Sequence, residues 1–389
     1  LSSIPIYSTL ALLLGLYLTW LVHSRGAIST VLQPDRVGLE NSTPGSLPLI
    51  SVIIPARNET HTIRECLQAI FTQTFPNFEV IVVDDRSTDD TPRILAEMAA
   101  AEPRMEVIQG AELPSGWAGK PHALVQGVAA AHGEWLCFVD ADTFIDPELL
   151  WSAYHQASLQ HADLFSILTM QILGSFWERS ILPLVFLGLA FGFPADRVND
   201  PQKPDAIANG QFILIKRLIY DQVGGHTAVK DRIDEDRALA AVVKHAGFRL
   251  LLADGRNLAR TRMYTSLPEM WEGWTKNIYP GLQGKRWLLG FGALLGLLVS
   301  LVLPLWLVGG MAWLSTGGGM RAVTVEGEVL VLWAYLVWKR LQACRYFNIS
   351  GWYALTFPLG AFIFTLMMLA SSYNVISGRG VSWKGRTYR

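Results

Sequence analysis

The sequence predicts an α/β fold, a doubly wound and mostly parallel sheet, joined to apolar helices that span a membrane. Three observations carry this. Between residues 50 and 142, four short apolar runs, the second and fourth ending in acids, alternate with segments of helix length. Hydrophobic residues make up 51% of the 389 and charged residues 17%, where a soluble domain usually carries about 25% charged. Uncharged runs of 19, 28 and 26 residues stand at 4–22, 287–314 and 351–376.

Taken in order, 4–22 is close to the roughly 20 apolar residues a spanning helix needs. It lacks the basic n-region and small-x-small site of a signal peptide, so residues 1–23 are expected to be an anchor. Residues 24–48 form a linker, polar and rich in Pro, Gly and Ser over 34–48. A catalytic domain is expected over 49–265. ISVIIP (50–55) reads as a buried parallel strand because it is apolar without alternation. Thr60–Gln73 reads as a helix with Ile63, Leu67, Ile70 and Phe71 on one face. FEVIVVDD (78–85) is the next strand, and Thr91-Pro92 opens a helix with Pro near its start. MEVIQG (105–110) and EWLCFVDAD (134–142) are two more strands, with a helix near 121–132 between them. ILPLVFLGLAFGF (181–193) is too short to span and reads as a core or interfacial helix. In 266–287, Trp271, Trp274 and Ile278 fall at i, i+3 and i+7, as in an amphipathic helix lying in the membrane interface, with a kink at Pro280. Residues 288–389 hold two or three further spans and a basic tail. VLVLWAYLVW (329–338) is the doubtful one, short for a span.

The net charge is −1. Residues 287–389 contain eight Lys/Arg and two Glu, a net of +6, so residues 1–286 carry −7. An acidic main domain argues against nucleic acid as a partner. Arg25 and Arg36 after the first span place residues 23–286 on the cytoplasmic side. Cys66, Cys137 and Cys344 are odd in number and far apart, which fits neither a disulfide framework nor a zinc site.

Ligands of doubly wound sheets bind beyond the carboxyl ends of the strands. Arg57, Asn58 and Glu59 follow the first strand, Asp84 and Asp85 the second, and Asp140 and Asp142 the fourth. No G-x-G-x-x-G or G-x-x-x-x-G-K-[ST] is present, so neither a dinucleotide fold nor a P-loop is indicated. Asp140-Ala-Asp142 offers two carboxylates to one hard cation, Mg2+ or Mn2+, of the kind that also binds substrate phosphates. Each acidic pair by itself is equally well a solvated turn or a helix cap.

Together the motifs are more specific. SVIIPARNE (51–59), VVDDRSTDDT (82–91), FVDADT (138–143), GKPHAL (119–124), IDEDRALAAVVKHAG (233–247) and QGKRW (283–287) resemble the family 2 glycosyltransferases of the GT-A fold. The resemblance covers about residues 50–290. It implies an inverting, metal-dependent hexosyl transfer from a UDP- or GDP-sugar. Nucleotide-sugar contacts would fall to Pro55, Arg57, Glu59, Asp84, Asp85, Lys120 and Asp140, with Asp85 on the base. Asp140 and Asp142 would hold Mg2+ or Mn2+. Asp236 would be the general base, with Asp234 and Glu235 as rivals on spacing alone. Gln283, Arg286 and Trp287, on one helix face, would meet the diphosphate and the acceptor. The family's usual Asn after Ala-Leu is Val125 here, so that position carries no expected role. His226, in a Gly-rich turn, is read as structural.

Direct displacement needs one ionised carboxylate to take the acceptor's proton and positive charge to meet the leaving diphosphate. GWAGK (116–120), ANGQF (208–212) and MYTSLPEMWEGWTKN (263–277) are similar to the membrane glycosyltransferases of carotenoid and hopanoid biosynthesis. A hydrophobic lipid hydroxyl, preferably on a carotenoid, is therefore the expected acceptor. Ceramide, hopanoid, glycerolipid and a growing polysaccharide are the alternatives, and a non-enzymatic nucleotide-sugar receptor is the outlier.

Overall fold

The computed structural model describes Gly15 and residues 30–35, 47–281, 287–377, 379, 381–383 and 386–388. The expected anchor at 4–22 lies outside the described residues except for Gly15, and so does most of the linker. The chain divides into two compact units, an α/β unit (Ile28–Ile172 and Phe193–Met263) and a helical unit that includes Leu173–Gly192 and Tyr264–Arg389.

The α/β unit is built on β1 (Ile50–Ala56), β2 (Phe78–Asp84), β3 (Met105–Gln109), β4 (Trp135–Val139), β5 (Thr143–Ile145), β6 (Leu164–Leu168), β7 (Met170–Gln171), β8 (Phe212–Lys216), β9 (Leu250–Asp254) and β10 (Ala259–Thr261). Seven strands form one sheet in the order β3-β2-β1-β4-β8-β6-β9, and β5-β10-β7 form a second. β3, β2, β1 and β4 pair in parallel, as do β6 and β9, while β8 runs antiparallel to both its neighbours. Both faces of β1, β2 and β4 are covered, which is why these strands read as nearly unbroken apolar runs. Val52, Ile54, Val80, Val82, Cys137 and Val139 belong to one buried cluster. Ile53, Ile81, Leu136 and Phe138, the intervening residues, belong to the other.

The helices follow their patterns. Ile63–Phe71 buries Ile63, Cys66, Leu67 and Ile70, a stripe at i, i+3, i+4 and i+7. It starts later than the sequence alone predicts. The amides of Glu59 and Thr60 are taken by Thr91 Oγ1 at 2.8 Å and Asp89 Oδ2 at 3.2 Å, which ties this stretch to the next loop instead. Thr91–Ala101 opens at the expected Thr-Pro. Gly119–Ala130 packs on β1 through Gly127, where a Cβ would come within 2.5 Å of Ile53 Cγ2.

The helical unit contains Phe176–Gly192, Leu267–Gly281, Trp287–Leu297, Leu303–Ser315, Gly319–Tyr346 and Phe357–Ile376. Among the described residues, two segments are long and apolar enough to cross a membrane, Trp287–Ser315 and Gly351–Ile376. The doubtful 329–338 run lies inside a helix of 28 residues, Gly319–Tyr346. The stripe expected to lie in the interface is largely buried by protein. Met270, Trp274 and Ile278 are covered, with Phe186 edge-on to Trp274, and only Trp271 stays partly exposed. The Phe176–Gly192 helix is a core element of this unit. Arg340 Nη2 donates to the carbonyls of Arg179 at 2.6 Å and Ser180 at 3.1 Å.

Candidate active site

The parallel pairing of β1, β2 and β4 brings their carboxyl ends to one edge, and the acids of all three collect there. After β1 and β2 the loops are tied together. Arg57 Nη1 donates to Asp85 O at 2.6 Å, and the amide of Asp85 donates to Ala56 O at 2.7 Å. Asp84 Oδ1 accepts the Ser87 amide at 3.0 Å, which closes the turn that carries Asp85. Both Asp84 and Asp85 are buried, while Pro55, Arg57 and Glu59 are half-buried.

β4 ends at Val139, three residues short of the strand expected over 134–142, so Asp140 and Asp142 sit in the loop that follows it. The amide of Thr143 donates to Asp140 O at 3.0 Å, and Thr261 Oγ1 donates to Asp142 O at 3.0 Å. The backbone of the D-A-D loop is thus pinned on both sides. Lys120, at the start of Gly119–Ala130, reaches across to this loop. Its Nζ lies 2.7 Å from Asp140 Oδ1 and 2.7 Å from Glu235 Oε1. Burial works against the ammonium, but Asp140, Glu235 and Asp236 outweigh it and hold Lys120 charged well above its ordinary range. Burial pushes the Glu235 carboxyl up, with Lys120 pulling the other way.

Glu235 and Asp236 open the Glu235–His245 helix. Glu235 is buried and Asp236 half-buried. Asp236 Oδ2 accepts the Gly210 amide at 2.9 Å and Oδ1 accepts the Arg237 amide at 2.7 Å. Gly210 arrives because β8 runs backwards. Phe212 pairs with Val139, so the chain just before β8 lies beside the end of β4. A Cβ at Gly210 would come within 2.9 Å of Lys120 Nζ and 3.1 Å of Asp236 Oδ2. Gly210 lies in the ANGQF (208–212) phrase, but the sequence assigns it no role. Its local signal is an Asn-Gly-Gln turn directly before an apolar run.

Of the expected site residues, the structure brings together Lys120, Asp140, Glu235 and Asp236, with Asp142 one loop residue away from Asp140. Asp234, the third rival for the base, is held by Arg232 at 2.7 Å and Arg237 at 2.5 Å. Gln283 and Arg286 lie outside the described residues. Trp287 starts a helix of the other unit and is 65% exposed.

Among the described residues, no three His, Cys, Asp or Glu side chains form a metal-binding group. Asp140 and Asp142 nonetheless suit Mg2+ or Mn2+. Such ions commonly use one or two carboxylates, with substrate phosphates and water completing the shell.

His226 is buried and held by Tyr220. The His226 amide donates to Tyr220 Oη at 3.0 Å, and Oη lies 3.0 Å from Nδ1. Phe138 packs edge-on against the ring at 4.8 Å. Burial, then the nearby Lys120, lowers its pKa from 6.5 to about 3. The unfolded chain therefore binds one more proton than the folded one between those values, and stability falls as pH drops from about 6.5 towards 3. The slope contributed is up to about 1.4 kcal/mol per pH unit. His226→Asn, which keeps a hydrogen-bond acceptor near the Nδ1 position, should be less stable at pH 7.5 but lose that slope. Melting curves of both proteins at pH 7.5 and pH 5 check this, and parallel loss in the two would refute it.

Residues 51–223 match the family model described as glycosyl transferase family 2. A 4,4'-diaponeurosporenoate glycosyltransferase of Staphylococcus aureus (strain USA300) is 28% identical over 352 residues, 87% of this chain and 88% of that protein. The protein of the same name from strain bovine RF122 / ET3-1 is also 28% identical over 352 residues, with the same coverage. Among solved structures, mannosyltransferase PcManGT from Pyrobaculum calidifontis, in complex with GDP-Man and Mn2+, aligns with a TM-score of 0.55 and 18% identity, over 97% of this chain and 99% of that one. That last likeness is one of fold. The family 2 match runs through β1, β2, β4 and β8, and the architecture these strands build is the GT-A-like α/β fold that the solved mannosyltransferase also has.

Proposed function

We propose that the chain moves one sugar, with inversion, from a nucleotide diphosphate sugar to a hydroxyl of a hydrophobic lipid at the cytoplasmic face of a membrane, and that the lipid is a carotenoid. The observation that carries the reaction is the meeting of Lys120 and Asp140 with Asp236 and Gly210 at the carboxyl edge of the sheet. Its two sides match the two halves of a direct displacement. Asp236 takes the acceptor's proton as the acceptor oxygen bonds to the anomeric carbon. The bond from that carbon to the phosphate oxygen breaks, and the nucleoside diphosphate leaves. Lys120 meets the negative charge that builds there. Mg2+ or Mn2+ held by Asp140 and Asp142 would supply further positive charge to that diphosphate when bound. Arg57, Glu59, Asp84 and Asp85 hold the nucleotide, and no second nucleophile is required.

The acceptor rests on different support. The relative whose name specifies diaponeurosporenoate aligns over most of both chains. Two segments of the helical unit have the length and apolarity to hold the protein at a bilayer. Trp287, exposed and amphipathic, suits the depth at which a lipid's polar end arrives.

The test is transfer in vitro. Membranes containing the protein are incubated with a panel of UDP- and GDP-sugars, with hydroxylated and carboxylated carotenoids as acceptors. The lipid extract is then analysed by mass spectrometry. The expected product is a carotenoid heavier by one hexose residue. A polymer, or a sugar found only on ceramide, hopanoid or glycerolipid, would overturn the acceptor. No transfer from any donor would overturn the enzymatic reading of the site.

A further inference from the structure

Glu235 has no evident task in that reaction. It is a buried acid beside the expected base, and its carboxylate faces Lys120 rather than open solvent. Taking a charge out of water is costly unless a partner offsets it, so the pairing has to account for its presence. The Lys120 ammonium has three N–H donors. Asp140 Oδ1 and Glu235 Oε1 each lie 2.7 Å away and take two. The side chain is 33% exposed, and these two contacts use only two of the three donors. Gly210 completes the arrangement. The missing Cβ is what lets the ammonium and the Asp236 carboxylate share one space.

We propose that Glu235 is a positioning residue. It fixes the Lys120 ammonium between the donor acids and the acceptor acid, so that its third donor points at the diphosphate of the bound nucleotide. Without this anchor Lys120 is a flexible four-carbon stem and follows Asp140 alone. Glu235 itself touches neither substrate and acts only through Lys120. This rests on the nucleotide-sugar reading given above.

The prediction is non-additivity. Binding of UDP and of GDP, each with Mn2+, is measured by titration calorimetry on the full chain in detergent. The proteins are wild type, Lys120→Met, Glu235→Gln and the double variant. Each single substitution should weaken the better-bound nucleotide about tenfold, and the double variant should be no weaker than Lys120→Met alone. Glu235→Asp, which keeps the charge, should recover part of the loss. Losses that multiply in the double variant would overturn the proposal while leaving the donor reading intact. If Glu235→Gln fails to fold but the double variant folds, the unmatched lysine is the cause. That supports the pairing, and the cycle is then read with Glu235→Asp as the single change. If the double variant also fails to fold, Glu235 serves the fold beyond Lys120 and the proposal falls. A wild-type protein that binds neither nucleotide would remove the donor reading and this inference together.

Discussion

Replacing Asp236 with Asn is expected to lower sugar transfer by about a hundred- to ten-thousandfold while leaving nucleotide binding close to wild type. The amide keeps the shape of the carboxylate but cannot accept the acceptor's proton. The geometry favours Asp236 over its neighbours. It is only half-buried, and amide donors from Gly210 and Arg237 steady its two oxygens. It also lies in the first turn of a helix, where the macrodipole favours negative charge. Glu235 is buried against Lys120, and Asp234 is clamped by two arginines. Transfer per folded molecule, measured beside nucleotide affinity, decides the matter. An inactive Glu235→Gln together with an active Asp236→Asn would move the base by one residue. The size of the loss also reports on the acceptor. An acceptor already ionised, such as a carboxylate, has no proton to give up and should suffer far less than a hydroxyl.

Asp142→Ala is expected to cut turnover by at least about a hundredfold, the scale of losing a principal electrostatic stabiliser. The change should leave the loop in place. Asp142 is held through its backbone carbonyl by Thr261, and Asp140 through its carbonyl by Thr143, and neither bond uses the carboxylate that is removed. Chelation of wild-type protein with excess EDTA should give a loss of the same order, reversed by added Mn2+ or Mg2+. Full activity in EDTA would reject divalent-cation dependence. A normal response to Mn2+ in Asp142→Ala would shift the cation to Asp140 alone.

The parts of the fold that were legible in the sequence are those whose signal is local. β1, β2 and β4 stand out because burial on both faces removes nearly all polar residues from a short run. The helices between them show a stripe or an opening Thr-Pro. β8 was harder to foresee. Its residues look like any buried strand, and its reversed direction is set by pairing with β4 and β6 rather than by its own composition. The site divides in the same way. Asp84, Asp85, Asp140 and Asp236 announce themselves as acids at the ends of apolar runs or at a helix start. Gly210 and the Lys120–Glu235 contact do not, because each depends on an approach between segments far apart in the chain. The Trp274–Ile278 stripe was visible as periodicity. Periodicity says that a face is covered, not whether lipid or protein covers it.

The α/β unit is interrupted in the chain by Leu173–Gly192, which belongs with the helices. This bears on any attempt to produce a water-soluble catalytic fragment. Cutting after Met263 would remove the Phe357–Ile376 helix but retain Phe176–Gly192. Ile181, Leu182 and Val185, now covered, would be stripped of neighbours in their own unit, and the fragment would carry a sticky apolar rod. A soluble version would need two operations rather than one: an ending near residue 263, and a short hydrophilic bridge spliced in between Ile172 and Phe193.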